Sequence, residues 1–96
     1  MFRTSLRVRF GDIDAAGIAY YPRLVNFLHE AFEDFFAAHV GRTFPQVLKE
    51  GLGFPTVKLE IEFVSPVQYG DTLEVGLAIE KVGRASVAIR YEATVA

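Results

Sequence analysis

The stretch that most constrains the fold is residues 24–38, because its apolar side chains recur at helical spacing. The residues that share this spacing are Leu24, Phe27, Leu28, Ala31, Phe32, Phe35 and Ala38. A stripe this wide and this rich in phenylalanine favours burial against a sheet over a helix lying loosely on a surface. Pro22 suits the first helical turn and Gly41 suits the C-terminal end. The sequence therefore predicts a helix from residue 22 to about residue 40.

Alternating apolar and polar residues predict four strands around this helix. The predicted strands cover residues 4–11, 57–63, 72–82 and 85–95. In the first of them Leu6, Val8 and Phe10 face one way. Turn residues make the last three strands consecutive and antiparallel, with a tight hairpin at residues 82–84. This order predicts an α+β fold in which an antiparallel sheet wraps around one long helix.

Composition narrows the classes of function. The chain has 96 residues, which is the size of one domain, and its nine Phe and four Tyr predict an aromatic-rich core or burial against another subunit. A net charge of −2 argues against nonspecific binding of nucleic acid. The absence of Cys excludes disulfides, thiolate nucleophiles and Cys-ligated zinc. With neither a signal-like N-terminus nor a run of transmembrane length, we expect a cytoplasmic protein without a membrane partner.

The loop before the long helix contains the candidate chemistry. Asp12 and Asp14 lie in it, and the neighbours of Asp14 are mostly apolar. The helix that follows offers free backbone N–H groups and the positive end of its dipole, which suit an oxyanion or a thioester carbonyl. This combination indicates acyl chemistry. The alternative is local, because Asp also favours such loops as an Asx-turn or a helix cap.

Two stretches resemble a known family. Residues 8–22, Val-Arg-Phe-Gly-Asp-Ile-Asp-Ala-Ala-Gly-Ile-Ala-Tyr-Tyr-Pro, resemble the signature loop of the 4-hydroxybenzoyl-CoA thioesterase branch of the hotdog-fold superfamily. Residues 63–75, Phe-Val-Ser-Pro-Val-Gln-Tyr-Gly-Asp-Thr-Leu-Glu-Val, are similar to a turn and strand of the same family. The resemblance implies a single hotdog domain over residues 1–96 and hydrolysis of an acyl-CoA thioester. It also implies a homodimer, assembled into a homotetramer, with the site at a subunit interface and neither metal nor cofactor.

The resemblance also assigns roles to residues. It makes Asp14 the catalytic carboxylate, which either attacks the thioester carbonyl or activates a water. Backbone N–H groups near Tyr21 would hold the oxyanion, and Asp12 would fix the loop by accepting backbone hydrogen bonds. The predicted substrate-binding residues are Gly17, Ile18, Tyr21, His29 and Arg84. His29 and Arg84 also have structural interpretations, as a satisfied helical histidine and as a solvated turn residue.

The sequence departs from the family at two points. Many relatives carry a carboxylate where this chain has His29. Relatives also usually continue with one more strand, so we expect the domain to lack its last strand. Two other functions stay open, because hotdog folds also include dehydratases of acyl thioesters, and a non-catalytic module could bind acyl-CoA. A binding module would tolerate Asn at position 14.

Overall fold

The computed structural model describes residues 1–51 and 53–96, and it contains an antiparallel sheet packed against one long helix. In chain order the elements are β1 (Phe2–Arg7), α1 (Tyr21–Phe35), α2 (Phe44–Lys49), β2 (Thr72–Val82) and β3 (Val87–Val95). The strands lie in the order β1-β2-β3, and both pairings are antiparallel. The predicted α+β class is confirmed.

The long helix follows the apolar stripe of the sequence. Helix α1 has Pro22 in its first turn, and a π-helical turn, Phe36–Val40, continues it. The chain then leaves the helix at Gly41, whose φ of 75° lies in the left-handed region and whose N–H donates to the Phe36 carbonyl. The predicted end at Gly41 is confirmed, although the last turn is wider than an α-helical one. No helix in the described ranges is long and apolar enough to cross a membrane.

Two apolar clusters lie between the helices and the sheet. The cluster nearer the loop contains Val8, Ala19, Phe27, Ala31, Val67, Leu73 and Val75. The second contains Phe32, Phe36, Val47 and Leu77, with Phe44 and Tyr91 packed against it. The rings of Phe32 and Phe36 meet edge to face at 4.9 Å, the kind of aromatic contact that adds to simple burial. The expected aromatic-rich core therefore forms at the far end of the helix from the loop.

The first strand is shorter than predicted. It ends at Arg7, and although Leu6 and Val8 face the core, Phe10 is 80% exposed. The reason is local, since the carboxylate of Asp12 accepts the Arg9 N–H at 2.8 Å and closes the chain into a 3₁₀ turn, Phe10–Asp12. The predicted inward position of Phe10 is wrong because the turn carries its side chain away from the sheet.

The strand predicted over residues 57–63 does not form in this structure. Its alternating apolar residues are exposed, and Val57 reaches 90%. A strand needs a neighbour that satisfies its N–H and C=O groups, and residues 53–66 make no backbone hydrogen bond to any described residue. Aromatic contacts hold the segment at its two ends, where Phe54 lies 5.4 Å from Phe36 and Phe63 lies 6.2 Å from Tyr21, measured between ring centroids.

Candidate active site

The loop that carries both aspartates is a narrow hairpin. The Asp14 N–H donates to the Ile18 carbonyl and the Gly17 N–H donates to the Asp14 carbonyl, both at 3.0 Å. At the other end of the hairpin the Tyr20 N–H donates to the Asp12 carbonyl at 2.8 Å. Gly17 closes the turn with a φ of 82°, which glycine adopts without the steric cost of a Cβ. The backbone of the loop is therefore fixed by its own hydrogen bonds.

Further bonds tie this hairpin to the chain just before β2. The Ala19 N–H donates to the Val67 carbonyl at 2.7 Å, and Ile18 forms a bridge with Gln68. The Val8 N–H reaches the Asp71 carbonyl at 2.8 Å. These contacts place the two stretches that carried the family resemblance side by side, at the end of the sheet where β2 begins.

Asp12 holds the base of the hairpin. Its side chain is buried, with the residue only 4% exposed. One carboxylate oxygen, Oδ2, accepts the Arg9 N–H at 2.8 Å, while Oδ1 accepts from Nε and Nη2 of Arg23, each at 2.9 Å. The expectation that Asp12 fixes the loop is confirmed. Arg23 was not singled out from the sequence, because a pairing across eleven residues and an intervening turn leaves no local pattern.

Asp14 is held much more lightly. Its Oδ1 accepts the Ala16 N–H at 2.8 Å, which is the Asx-turn of the local interpretation. The side chain is half-buried, and within the described part of the chain Oδ2 has no hydrogen-bond or ion-pair partner. One oxygen therefore orients the carboxylate while the other remains available as a nucleophile or a proton acceptor. The turn geometry and a chemical role are compatible at this residue.

The start of α1 provides a free hydrogen-bond donor. Pro22 has no N–H, and the N–H groups of Arg23 and Leu24 both donate to the Tyr20 carbonyl. Over residues 1–51 and 53–96, nothing accepts a hydrogen bond from the Tyr21 N–H. Exposed aromatic rings lie at this end of the helix. The ring centroids of Tyr20 and Tyr21 are 5.4 Å apart, and those of Tyr21 and Phe63 are 6.2 Å apart. A free donor beside aromatic surface suits a carbonyl attached to an apolar group.

Two predicted substrate-binding residues lie away from Asp14. His29 is exposed two turns along α1, with its Nε2 3.1 Å from Oε2 of Glu33 and its ring 5.6 Å from that of Phe44. Arg84 lies in the hairpin that follows β2, whereas the loop lies where β2 begins. At the usual rise per residue this eleven-residue strand is roughly 33 Å long, so Arg84 and the loop are at opposite ends of the sheet. A single chain therefore pairs Asp14 with Gly17 and Ile18 in the hairpin, with Tyr21 at the helix start that follows, whereas His29 and Arg84 lie further along α1 and beyond β2. Nothing in this geometry favours the His–carboxylate arrangement of a dehydratase.

Elsewhere the described residues offer little competing chemistry. They contain no group of three or more His, Asp or Glu side chains positioned to hold a metal ion. Burial raises the pKa of the Tyr91 phenol, but this residue lies on β3 rather than at the loop. The loop is the best candidate site of the molecule.

The profile of the thioesterase superfamily matches residues 16–96. The chain belongs to this superfamily. It is 34% identical over 95 residues to a 1,4-dihydroxy-2-naphthoyl-CoA hydrolase of Nostoc punctiforme. The aligned region covers 99% of this chain and 64% of that protein. The chain thus spans less than two thirds of the length of curated relatives that it matches.

Solved thioesterase structures confirm the fold. The 4-hydroxybenzoyl-CoA thioesterase of Pseudomonas sp. strain CBS-3 superposes with a TM-score of 0.89 at 29% identity, over 98% of this chain and 69% of that one. A second solved structure is a mutant 4-hydroxybenzoyl-CoA thioesterase in which one Asp is replaced by Asn and 4-hydroxybenzoyl-CoA is bound. It superposes with a TM-score of 0.90 at 28% identity, over 99% of this chain and 69% of that one. The hotdog fold expected from the resemblance is confirmed.

Proposed function

We propose that this thioesterase-superfamily chain hydrolyses an acyl-CoA thioester to a free acid and CoA, with Asp14 as the catalytic carboxylate. The observation that carries the proposal is Oδ2 of Asp14, which has no partner among the described residues and lies in a loop held by its own backbone hydrogen bonds. An oriented carboxylate with one free oxygen can act without first breaking a bond to the protein. Membership of the superfamily supports the reaction class.

The proposed reaction breaks the bond between the acyl carbon and the CoA sulfur. Asp14 either attacks the acyl carbon, forming an anhydride that water then hydrolyses, or removes a proton from a water that attacks directly. In the direct route the oxygen of water ends in the acid. In the anhydride route it ends in the acid when water attacks the acyl carbon, and in Asp14 when water attacks the Asp14 carboxyl carbon. In both routes the CoA thiolate leaves and takes up a proton. The Tyr21 N–H donates to the oxyanion that develops on the carbonyl oxygen. A thioester is weakly resonance-stabilised and has a good leaving group, so one carboxylate and backbone donors suffice.

We further propose an aromatic acyl group as the first substrate class to test. Relatives and neighbours are named for 1,4-dihydroxy-2-naphthoyl-CoA, 4-hydroxybenzoyl-CoA and gentisyl-CoA, all of which carry a hydroxylated aromatic ring. In this chain Tyr20, Tyr21 and Phe63 are exposed beside the free N–H. Aromatic rings pack favourably edge to face or offset-stacked against such side chains.

The proposed site uses more than one subunit. Gly17 and Ile18 would line it from the loop of one chain, whereas His29 and Arg84 lie too far along α1 and the sheet to join Asp14 within that chain. We therefore propose a homodimer, further assembled into a homotetramer, in which a second subunit supplies these side chains. Arg84 would then face the phosphates of CoA.

The experiment is to measure CoA release from a panel of hydroxybenzoyl-, dihydroxynaphthoyl-, short-chain and medium-chain acyl-CoAs. The proposal predicts turnover that is highest with the aromatic thioesters and that is lost in Asp14→Asn. Tight acyl-CoA binding without turnover in either protein would instead indicate a binding module. Equal turnover in both would show that Asp14 is only a turn residue.

A further inference from the structure

An open cavity lies beside the turn that follows β1. Its volume is about 400 Å³, which is within the size range of sites for small ligands. The residues that line it are Arg7, Val8, Arg9, Phe10, Gly11 and Tyr69. None of them is acidic, and none takes part in the proposed hydrolysis. The cavity is therefore a candidate for a second ligand with its own chemistry.

Two exposed aromatic rings form one wall of this cavity. Phe10 is 80% exposed, more than any other phenylalanine that the structure describes, and Tyr69 is 58% exposed. Their ring centroids are 6.4 Å apart and their planes meet at 57°, so the two rings form an open corner and not a closed stack. A planar ring placed in this corner meets the face of one side chain and the edge of the other, and aromatic groups favour both contacts.

Two arginines without ion-pair partners form the other wall. The backbone is extended from Arg7 to Arg9 and the intervening Val8 is fully buried, so both guanidinium groups lie on the outer side of the chain. Over residues 1–51 and 53–96, neither of them forms an ion pair. Arg3 differs, because it lies on the same strand but pairs with Glu74 at 3.1 Å. The positive charge of the cavity is therefore available to a ligand.

The two walls together select the chemistry of that ligand. Two neighbouring guanidinium groups favour a ligand with more than one negative charge. A phosphate monoester carries a charge of about −1.5 to −2 at pH 7, whereas a carboxylate carries a single charge. Each guanidinium can also donate two parallel hydrogen bonds to phosphate oxygens. A planar ring system that carries a phosphate monoester thus satisfies both the aromatic corner and the arginines.

We propose that this cavity binds a nucleoside phosphate monoester, with the base against Phe10 and Tyr69 and the phosphate between Arg7 and Arg9. Free nucleotides such as AMP carry this group, and so does the adenosine 3′-phosphate end of CoA. The walls contain no residue of the proposed reaction, so the site does not depend on the proposed function. Only the CoA source rests on that function.

Isothermal titration calorimetry with AMP tests the ligand class. AMP should bind the wild-type chain saturably. Adenosine lacks the phosphate and inorganic phosphate lacks the ring, so each should bind about tenfold more weakly or worse. If 4-hydroxybenzoate bound as tightly as AMP, a single negative charge would suffice and the phosphate assignment would be wrong. An absence of saturable AMP binding would overturn the site altogether.

Substitutions of exposed residues test whether the binding occurs in this cavity. Arg7→Gln and Arg9→Gln should each weaken AMP binding about tenfold or more, because each removes charge-assisted hydrogen bonds. Phe10→Leu removes the ring but keeps an apolar side chain, and it should weaken binding about three- to tenfold. Arg3→Gln is the matched control and should keep the wild-type affinity, since the charge of Arg3 is already paired. Wild-type affinity in the Arg7 and Arg9 variants, or an equal loss in Arg3→Gln, would contradict the proposal.

Competition distinguishes the two sources of the ligand. Displacement of AMP by CoA but not by dephospho-CoA, which lacks the 3′-phosphate, would assign the cavity to the nucleotide end of CoA. Retention of AMP at saturating CoA would assign it to a free nucleotide. Equal displacement by CoA and dephospho-CoA would show that the phosphate monoester is not recognised, and it would overturn the proposal. Because binding is measured without turnover, a chain that binds AMP but hydrolyses no thioester would refute the proposed function and leave this site in place.

Discussion

The Asp14 loop and residues 54–66 are both irregular, yet they are held in opposite ways. The loop satisfies its backbone through Asp12, the turn at Gly17 and the bonds to Val67. Residues 54–66 make no backbone hydrogen bond to any described residue, and aromatic contacts hold only their ends. Irregular backbone can therefore be preorganised by its own bonds or left dependent on a neighbour. The hydrogen-bonded Asp14 loop can therefore hold a reacting group in position, whereas residues 54–66 cannot.

This difference matters for chemistry because a carboxylate that is already oriented needs no reorganisation in the transition state. Asp14 benefits from the fixed backbone around it, while Asp12 provides much of that fixing. On the proposed function, Asp12 has a structural role in the loop and Asp14 takes part in the reaction. Substitutions in the loop and in residues 54–66 test this comparison.

Removing the buried carboxylate should have the largest effect on stability. Asp12→Ala deletes the acceptor for the Arg9 N–H and for Arg23, and we expect a loss of about 2–4 kcal/mol in the free energy of unfolding. Urea denaturation monitored by circular dichroism measures it. The matched control is Asp34→Ala. Among the described residues its exposed carboxylate accepts only the Thr4 hydroxyl, so its loss should cost less than about 1 kcal/mol. Equal losses would show that Asp12 does not organise the loop.

A smaller loss should follow from straining the turn. Gly17→Ala places a Cβ at a φ of 82°, which we expect to cost about 1–2 kcal/mol although no atom lies within 4 Å of that Cβ. Gly53→Ala is the control, since Gly53 has equally open surroundings and no positive φ. Thermal melts of both variants provide the comparison. If Gly17→Ala were as stable as Gly53→Ala, the turn would not be constrained as described.

The smallest effect is expected in residues 54–66. Val57 is 90% exposed, so Val57→Ser should change the free energy of unfolding by less than about 0.5 kcal/mol in the monomer. The same denaturation experiment on Val75→Ala, at a fully buried position, should show a loss of roughly 2 kcal/mol. A large effect of Val57→Ser would mean that this segment is buried against another chain in solution.

Local patterns in the sequence predicted much of this molecule. The end of the helix at Gly41 and the strands β2 and β3 depend on neighbouring residues, and all appear in the structure. Two features did not follow from local patterns. The Arg23–Asp12 contact joins a helix to a loop, and the strand pattern of residues 57–63 lacks the neighbour that a strand requires.

Only part of the site could be predicted from the sequence. The loop residues around Asp14 are contiguous, so their proximity follows from the turn itself. His29 and Arg84 were assigned by resemblance, and within the chain one lies two turns along α1 while the other follows the far end of β2. Periodicity carries no information about contacts between distant elements, which is why the sequence could not position these two side chains relative to Asp14.

The most direct test of the account compares acyl-CoA turnover in Asp14→Asn and Asp34→Asn. Both changes replace one carboxylate by an amide that still accepts a hydrogen bond, so the Ala16 N–H and the Thr4 hydroxyl keep their partners. The account predicts that Asp14→Asn lowers kcat on the order of 10²–10⁴-fold with an unchanged melting temperature, while Asp34→Asn stays near wild type. Full turnover in Asp14→Asn, or equal losses in both variants, would contradict a catalytic Asp14.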